Sequence, residues 1–239
     1  MKRFPPDALL LITLLGFTPG ASAGTFTAAP GVAASDSGTA APADTGRFAA
    51  DIRRFEAADR EKAPPAHPVL FVGSSSIRMW SSLAEDFPGV PVLNRGFGGS
   101  EAEDVLRYAD RIVFPYRPRL VVLYEGDNDL AVGKSIDRVA GDLDSLITLI
   151  HRRLPGIPVA FISIKPSLAR LNLLDAMREV NARIRARAAK DPDLHYVDVM
   201  TPMLDARGEP RPQIFLPDGL HMNAAGYAIW AKAVAPLLE

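Results

Sequence analysis

Five short apolar runs punctuate the chain: Val69 to Val72, Pro91 to Leu93, Leu120 to Tyr124, Ile157 to Ile162 and Tyr196 to Val199. Each has the length of a strand, and continuous apolar character is the pattern of a strand buried on both faces. Between them, apolar residues recur every three or four positions. Ile136, Val139, Leu143, Leu146 and Ile150 form one series, Leu173, Met177, Val180 and Ile184 a second, and Tyr227, Trp230, Val234 and Leu237 a third. Each series is the stripe of an amphipathic helix, and its aromatic and Met members are read as core. Phe48, Ile52 and Phe55 predict a further helix ahead of the first strand. Strands alternating with helices predict an α/β fold, a five-stranded parallel sheet inside a three-layer αβα sandwich.

In such a sheet, sites form outside the carboxyl ends of the strands, near the point where strand order reverses. The loops leaving the first three strands read Gly73-Ser74-Ser75-Ser76, Asn94-Arg95-Gly96-Phe97-Gly98-Gly99 and Glu125-Gly126-Asp127-Asn128-Asp129. In a 2-1-3-4-5 strand order the three strands are neighbours and their loops converge on one patch.

The amino-terminal segment has a different pattern. Lys2 and Arg3 precede an apolar stretch from Ala8 to Phe17, and Ala21-Ser22-Ala23 follows. These are the parts of a secretory signal peptide over residues 1–23. Its apolar stretch is too short to span a bilayer as a stable helix. Residues 24–46 are mostly Ala, Gly, Thr, Ser and Pro, too poor in large apolar side chains to offset chain entropy, and are read as a linker. Residues 47–239 are then one domain, and the expected location is exported, periplasmic or secreted.

Charge and cysteine content narrow the partners. The 27 Lys and Arg nearly balance the 28 Asp and Glu, with no block of like charge, so neither nucleic acid nor an anionic membrane surface is implied. The absence of cysteine excludes a disulfide framework, a thiol nucleophile and a thiolate metal site.

Several motif matches fail on context. Gly20-Ala21-Ser22-Ala23-Gly24 fits Gly-x-Ser-x-Gly but has no strand before it and no helix after it. Gly133-Lys134-Ser135 resembles the end of a phosphate loop, yet Asn128 stands where its first glycine should be. Gly96-Phe97-Gly98 lacks the third glycine of a dinucleotide fingerprint, which is Glu101 here. Asp127 and Asp129 begin a calcium-loop spacing that Ala131 ends. Of the four histidines, His67, His151 and His195 are read as solvated or locally hydrogen-bonded. His221 differs, because Asp218 lies three residues before it, and a turn there would bring carboxylate and imidazole together.

A Gly-x-Ser after the first strand, an Asn-x-Gly-x-Gly-Gly loop after the second, a Gly-x-Asn-Asp loop after the third and an Asp-x-x-His near the carboxyl end occur in one order. In this the chain resembles the SGNH hydrolase superfamily, the GDSL-like esterases. It is similar within them to the bacterial lysophospholipase/thioesterase-like members and the platelet-activating-factor acetylhydrolase catalytic subunits. The resemblance implies a flavodoxin-like sheet, Ser75 as nucleophile, Asp218 and His221 as the rest of a triad, and Ser75, Gly99 and Asn128 as the oxyanion hole. It implies no metal and no cofactor. The family's usual Asp between Gly and Ser is Ser74 here, which leaves Ser74 and Ser76 as alternative nucleophiles.

The physical logic agrees. A serine hydroxyl needs a base within hydrogen-bond reach, and an imidazole oriented by a carboxylate supplies one. The backbone N–H groups of Ser75 and Gly99 with the Asn128 amide would meet the charge that develops on a carbonyl oxygen. Arg95, Arg78 and Trp80 are read as salt-bridging or core residues, and Asp129 as structural.

The expected activity is therefore that of an exported serine esterase acting on short, acetyl-type acyl esters of a small molecule or carbohydrate. Alternatives are a lysophospholipase or thioesterase, a carbohydrate O-acetyl esterase or transferase, and a non-catalytic envelope carbohydrate-binding protein.

Overall fold

The computed structural model describes residues 45–238. The signal peptide and all of the linker except Thr45 and Gly46 lie outside the described residues.

Helix α1 (Ala49–Glu61) leads into β1 (Val69–Gly73), which is followed by two single-turn helices, α2 (Ser75–Arg78) and α3 (Leu83–Asp86). The chain continues through β2 (Val92–Gly96), α4 (Ala102–Ile112), β3 (Leu120–Tyr124), α5 (Asp127–Ala131) and α6 (Ile136–Arg153). It then runs through β4 (Val159–Ile162), α7 (Leu174–Ala188), β5 (Leu194–Val197), α8 (Met200–Met203) and α9 (Ala224–Val234). All five strands are parallel, in the order β2-β1-β3-β4-β5. The α/β fold expected from the apolar runs is thus the one formed.

Alternation along the strands divides the core in two. Leu70, Val72, Val121, Leu123, Val159 and Phe161 face a layer that includes Ile52, Val105, Ile112, Val139, Leu143, Leu146, Met177 and Val180. Val69, Phe71, Leu120, Val122, Tyr124, Ala160 and Ile162 face Trp80, Phe87, Met203, Tyr227, Trp230 and Val234. Helices α1, α4, α6 and α7 therefore cover one face, and α2, α3, α8 and α9 the other. The second layer is rich in aromatic contacts, with the rings of Tyr124 and Trp230 at 4.7 Å and those of Trp80 and Tyr227 at 5.4 Å. This cluster supports α2 from below, and the Tyr227 hydroxyl donates to the Ser76 carbonyl at 3.0 Å.

Strand limits differ from the apolar runs at the two sheet edges, and the inner strand β4 begins at Val159 rather than Ile157. β2 continues through Asn94 and Arg95 to Gly96, and β5 begins at Leu194 and ends at Val197. An edge strand pairs on one side only and admits polar side chains, so apolar character there marks burial rather than extent.

The register sets up the loops. Gly73 stands level with Gly96 on one side and with Tyr124 on the other, so three strands end side by side. Gly73 has φ +145°, and a Cβ there would fall 2.0 Å from the Tyr124 carbonyl oxygen. Both the conformation and the contact require glycine. Gly73→Ala is expected to destabilise the domain by about 3 kcal/mol from strain and overpacking together. That corresponds to a Tm lower by roughly 10 °C in a thermal melt; an unchanged Tm would show that the β1–β3 contact is not tight.

Candidate active site

Ser75 opens α2 two residues after Gly73, so its own N–H has no intrahelical acceptor. Its neighbours are enclosed: Ser74 is 1% and Ser76 3% exposed. Only Ser75 reaches an imidazole, its Oγ standing 3.0 Å from His221 Nε2 across 146 residues of sequence. The two alternative serines are therefore walled off from the base.

The second loop is held in shape by Asn94, whose Nδ2 donates to the Ile77 carbonyl at 2.7 Å while its Oδ1 accepts the Gly96 N–H at 2.8 Å. That pair of bonds ties the end of β2 to α2. Beyond it Gly99 has φ +84°, a left-handed conformation that glycine adopts without strain. Two guanidinium groups flank this loop. Arg78 lies against Gly98, and Arg47 Nη2 is 3.1 Å from where a Gly99 Cβ would stand.

The third loop turns into α5 through Gly126, placing Asn128 in the first turn. Asn128 Nδ2 donates to the Ser100 carbonyl at 2.9 Å, and its Oδ1 accepts from Arg170 Nη2 at 2.9 Å. A guanidinium can only donate and a carbonyl can only accept, so these two partners fix which way the amide points. Asp129 is fully buried and accepts the Ala102 N–H at the start of α4, joining the second and third loops. Lys134 Nζ stands 3.0 Å from it and 2.9 Å from Glu101.

The fourth contribution is a tight loop before α9. Phe215 and Met222 form an antiparallel bridge, the Leu216 N–H donates to the His221 carbonyl at 2.8 Å, and the Gly219 N–H to the Leu216 carbonyl at 2.9 Å. The turn carries Asp218 and His221 on the same side, with His221 Nδ1 donating to Asp218 Oδ2 at 2.6 Å. Asp218 Oδ1 also accepts the backbone N–H groups of Leu220 and His221, each at 2.9 Å. Just beyond, the Asn223 side chain caps α9 by accepting from Ala225 and Gly226, so the helix anchors the loop. The hydrogen bond from His221, then those from the two backbone groups, hold the Asp218 carboxyl down at about 2.

Ser75, Asp218, His221, Gly99 and Asn128 thus gather at one end of the sheet. Arg95 lies elsewhere, buried, with its guanidinium hydrogen-bonded to Asp59 and to the Tyr116 hydroxyl. Trp80 lies in the core. The loop after β4, which carries no motif in the sequence, also reaches the site. From that loop come Arg170 and Lys165, the latter fully buried and donating from Nζ to the Leu220 carbonyl at 2.8 Å. Neither stands in a local motif; only their position after a fourth strand end could have singled them out. Among the described residues there is no cluster of three or more His, Cys, Asp or Glu placed to hold a metal.

A parallel α/β sheet with a serine, histidine and aspartate in hydrogen-bonded sequence at its carboxyl edge defines a class of hydrolases. Residues 36–229 match the model of the GDSL-like lipase/acylhydrolase family. The chain belongs to that family and is a hydrolase acting on ester bonds. It is 26% identical over 198 residues to platelet-activating factor acetylhydrolase IB subunit alpha2 of Gallus gallus, covering 81% of this chain and 82% of that protein. Among solved structures, a GDSL-like lipase from Bacteroides thetaiotaomicron superposes with a TM-score of 0.67 at 25% identity, over 79% of this chain and 97% of that one. A variant of an acetyl-xylooligosaccharide esterase from Geobacillus stearmophilus superposes with a TM-score of 0.56 at 19% identity, over 74% and 96%.

The Asp218 environment gives a test of the loop geometry. A carboxyl held at about 2 against an unfolded value near 3.9 stabilises the loop above that value, and the contribution is lost as pH falls toward 2. In a carboxyl-carbon NMR titration the Asp218 midpoint is expected to move back toward the ordinary range in His221→Ala, with the two backbone donors keeping part of the depression. A midpoint that does not move would show that the imidazole is not its main partner.

Proposed function

We propose that the protein is an exported serine esterase that hydrolyses short-chain, acetyl-type esters through an acyl-enzyme intermediate. The observation that carries this reading is the hydrogen-bonded chain from Ser75 Oγ through His221 to Asp218, at 3.0 and 2.6 Å.

The chemistry follows from the atoms. Ser75 Oγ attacks the ester carbonyl carbon while His221 Nε2 takes its proton, and Asp218 stabilises the imidazolium through Nδ1. The carbonyl oxygen becomes an oxyanion, met by the backbone N–H groups of Ser75 and Gly99 and by the Asn128 amide. Collapse breaks the bond to the leaving alcohol, which departs with the proton from His221. Water then repeats the sequence in reverse, releasing the acid and restoring Ser75. Removing one oxyanion donor costs about 2.7–4 kcal/mol in comparable sites.

Two observations support a short acyl group. Side chains of His221 and Asp218 remain 22% and 48% exposed, so the reacting groups lie at an open surface. The relatives named as an acetylhydrolase and an acetyl-xylooligosaccharide esterase also point to acetyl transfer to water. Export rests on the signal-peptide pattern of residues 1–23.

A second reading, a lysophospholipase-type activity on longer acyl groups, is favoured by a separate observation. Leu168 and Leu171 are 40% and 47% exposed, and Leu168 lies against Gly219 of the loop that carries His221. Such side chains could shelter an apolar chain.

Hydrolysis of p-nitrophenyl esters from acetate to palmitate separates the two. The expected maximum is at acetate or butyrate, and a maximum at long chains would replace the first reading by the second. In Ser75→Ala, kcat is expected to fall by about 10⁴-fold or more, with Ser74→Ala close to wild type. A Ser75→Ala variant with full activity would remove Ser75 from the mechanism.

A further inference from the structure

We propose that Arg170 is a positioning residue of the oxyanion hole, holding the Asn128 amide with one N–H turned to the reacting centre. The inference rests on Asn128 acting as an oxyanion donor, as set out above.

A primary amide has two N–H bonds and one carbonyl oxygen. In Asn128 one N–H is committed to the Ser100 carbonyl at 2.9 Å, and the oxygen accepts from Arg170 Nη2 at 2.9 Å. The remaining N–H is the only donor of the group left for a substrate. If the amide turned over, it would set its oxygen lone pairs against the Ser100 carbonyl and its NH₂ against a guanidinium that cannot accept. Arg170 thus raises the cost of the orientation that would point oxygen at an oxyanion. Its charge also polarises the amide and strengthens the free N–H as a donor.

Arg170 is itself held in place. Its Nη1 forms an ion pair with Asp127 Oδ2 at 2.9 Å, and the side chain is 16% exposed. Asp127 precedes Asn128 directly, so guanidinium, carboxylate and amide form a closed ring across two loops. The backbone leaves helical geometry at Arg170, with φ −126° and ψ 32°, inside the 3₁₀ turn of residues 168–173. One residue earlier, the Ala169 N–H donates to the Gly219 carbonyl at 3.0 Å. The turn therefore registers the Asn128 amide against the loop of Asp218 and His221, the two halves of the site that must act on one carbonyl group.

A merely structural brace and a positioning residue predict different kinetics. An interaction used only in the transition state lowers kcat and kcat/KM together and leaves KM nearly unchanged. The test is a double-mutant cycle of Arg170→Ala and Asn128→Ala on the full chain, with kcat and KM for p-nitrophenyl acetate and a thermal melt for every variant. Arg170→Ala is expected to lower kcat about tenfold to a hundredfold, with KM within about twofold. In the Asn128→Ala background the same change is expected to cost less than about twofold, because the group it orients is gone. Arg170→Lys, which keeps a charged donor, is expected to recover part of kcat. If Arg170→Ala does not fold, the cycle is run with Arg170→Lys, and loss of kcat confined to the Asn128 background carries the same meaning.

Equal losses in both backgrounds, or a lower Tm with unchanged kcat, would overturn the proposal. So would full activity in Asn128→Ala. Failure of the esterase reading would show instead in Ser75→Ala, which the cycle does not involve.

Discussion

The side-by-side ending of β2, β1 and β3 is the constraint on which the rest of the molecule depends. Gly73 is paired with Gly96 and with Tyr124 at the same level of the sheet. Because Gly73 has no Cβ, the Tyr124 carbonyl can approach to a distance that any other residue would block. Gly96 meets the same kind of limit from the other side, where a Cβ would fall 2.2 Å from the Arg78 backbone nitrogen. The turn into α2 is thus clamped between two neighbours before any polar contact is made. Ser75, Gly99 and Asn128 follow those strand ends by two, three and four residues, so sheet register brings their three loops together at one end of the sheet.

Much of this was legible in sequence, for identifiable reasons. Central strands β1 and β3 are buried on both faces, so their apolar runs coincide closely with their limits. The stripes of α6, α7 and α9 were visible because each helix packs one face on the sheet. Ser75 and His221 could be named because four short motifs follow one another in the order that the SGNH hydrolases show, although the serine run by itself left Ser74 and Ser76 open. Arg170 and Lys165 could not. They act across 42 and 55 residues, on Asn128 Oδ1 and on the Leu220 carbonyl, and one arginine among 27 basic residues has no local signature. The ends of β2 and β5 were misplaced because an edge strand is defined by pairing, which leaves a weaker trace in hydropathy than burial does.

The electrostatics beneath the site pose a problem that the same residues solve. A hydrolase of this kind must stabilise negative charge on a carbonyl oxygen, yet Glu125, Asp127 and Asp129 are all buried in the loop that supplies Asn128. Two unit charges roughly 8 Å apart in a protein interact by about 2 kcal/mol at an effective dielectric near 20. Bare carboxylates at such separations would therefore oppose an oxyanion.

Each acid is offset differently. Burial pushes the Glu125 carboxyl well above the usual range, against the pull of the hydrogen bond that Ser100 Oγ donates to it at 2.6 Å. Asp127 is matched by Arg170 at 2.9 Å, with Lys165 Nζ at 3.8 Å. Burial also raises the Asp129 carboxyl, against the pull of Lys134 and the Ala102 N–H. The charges that remain lie in pairs that hold the loops together. On the proposed esterase reading, these acids are compatible with oxyanion chemistry only on the condition that burial or a cation offsets each one. That condition makes the cations behind the loop as much a part of the site as the serine in front of it.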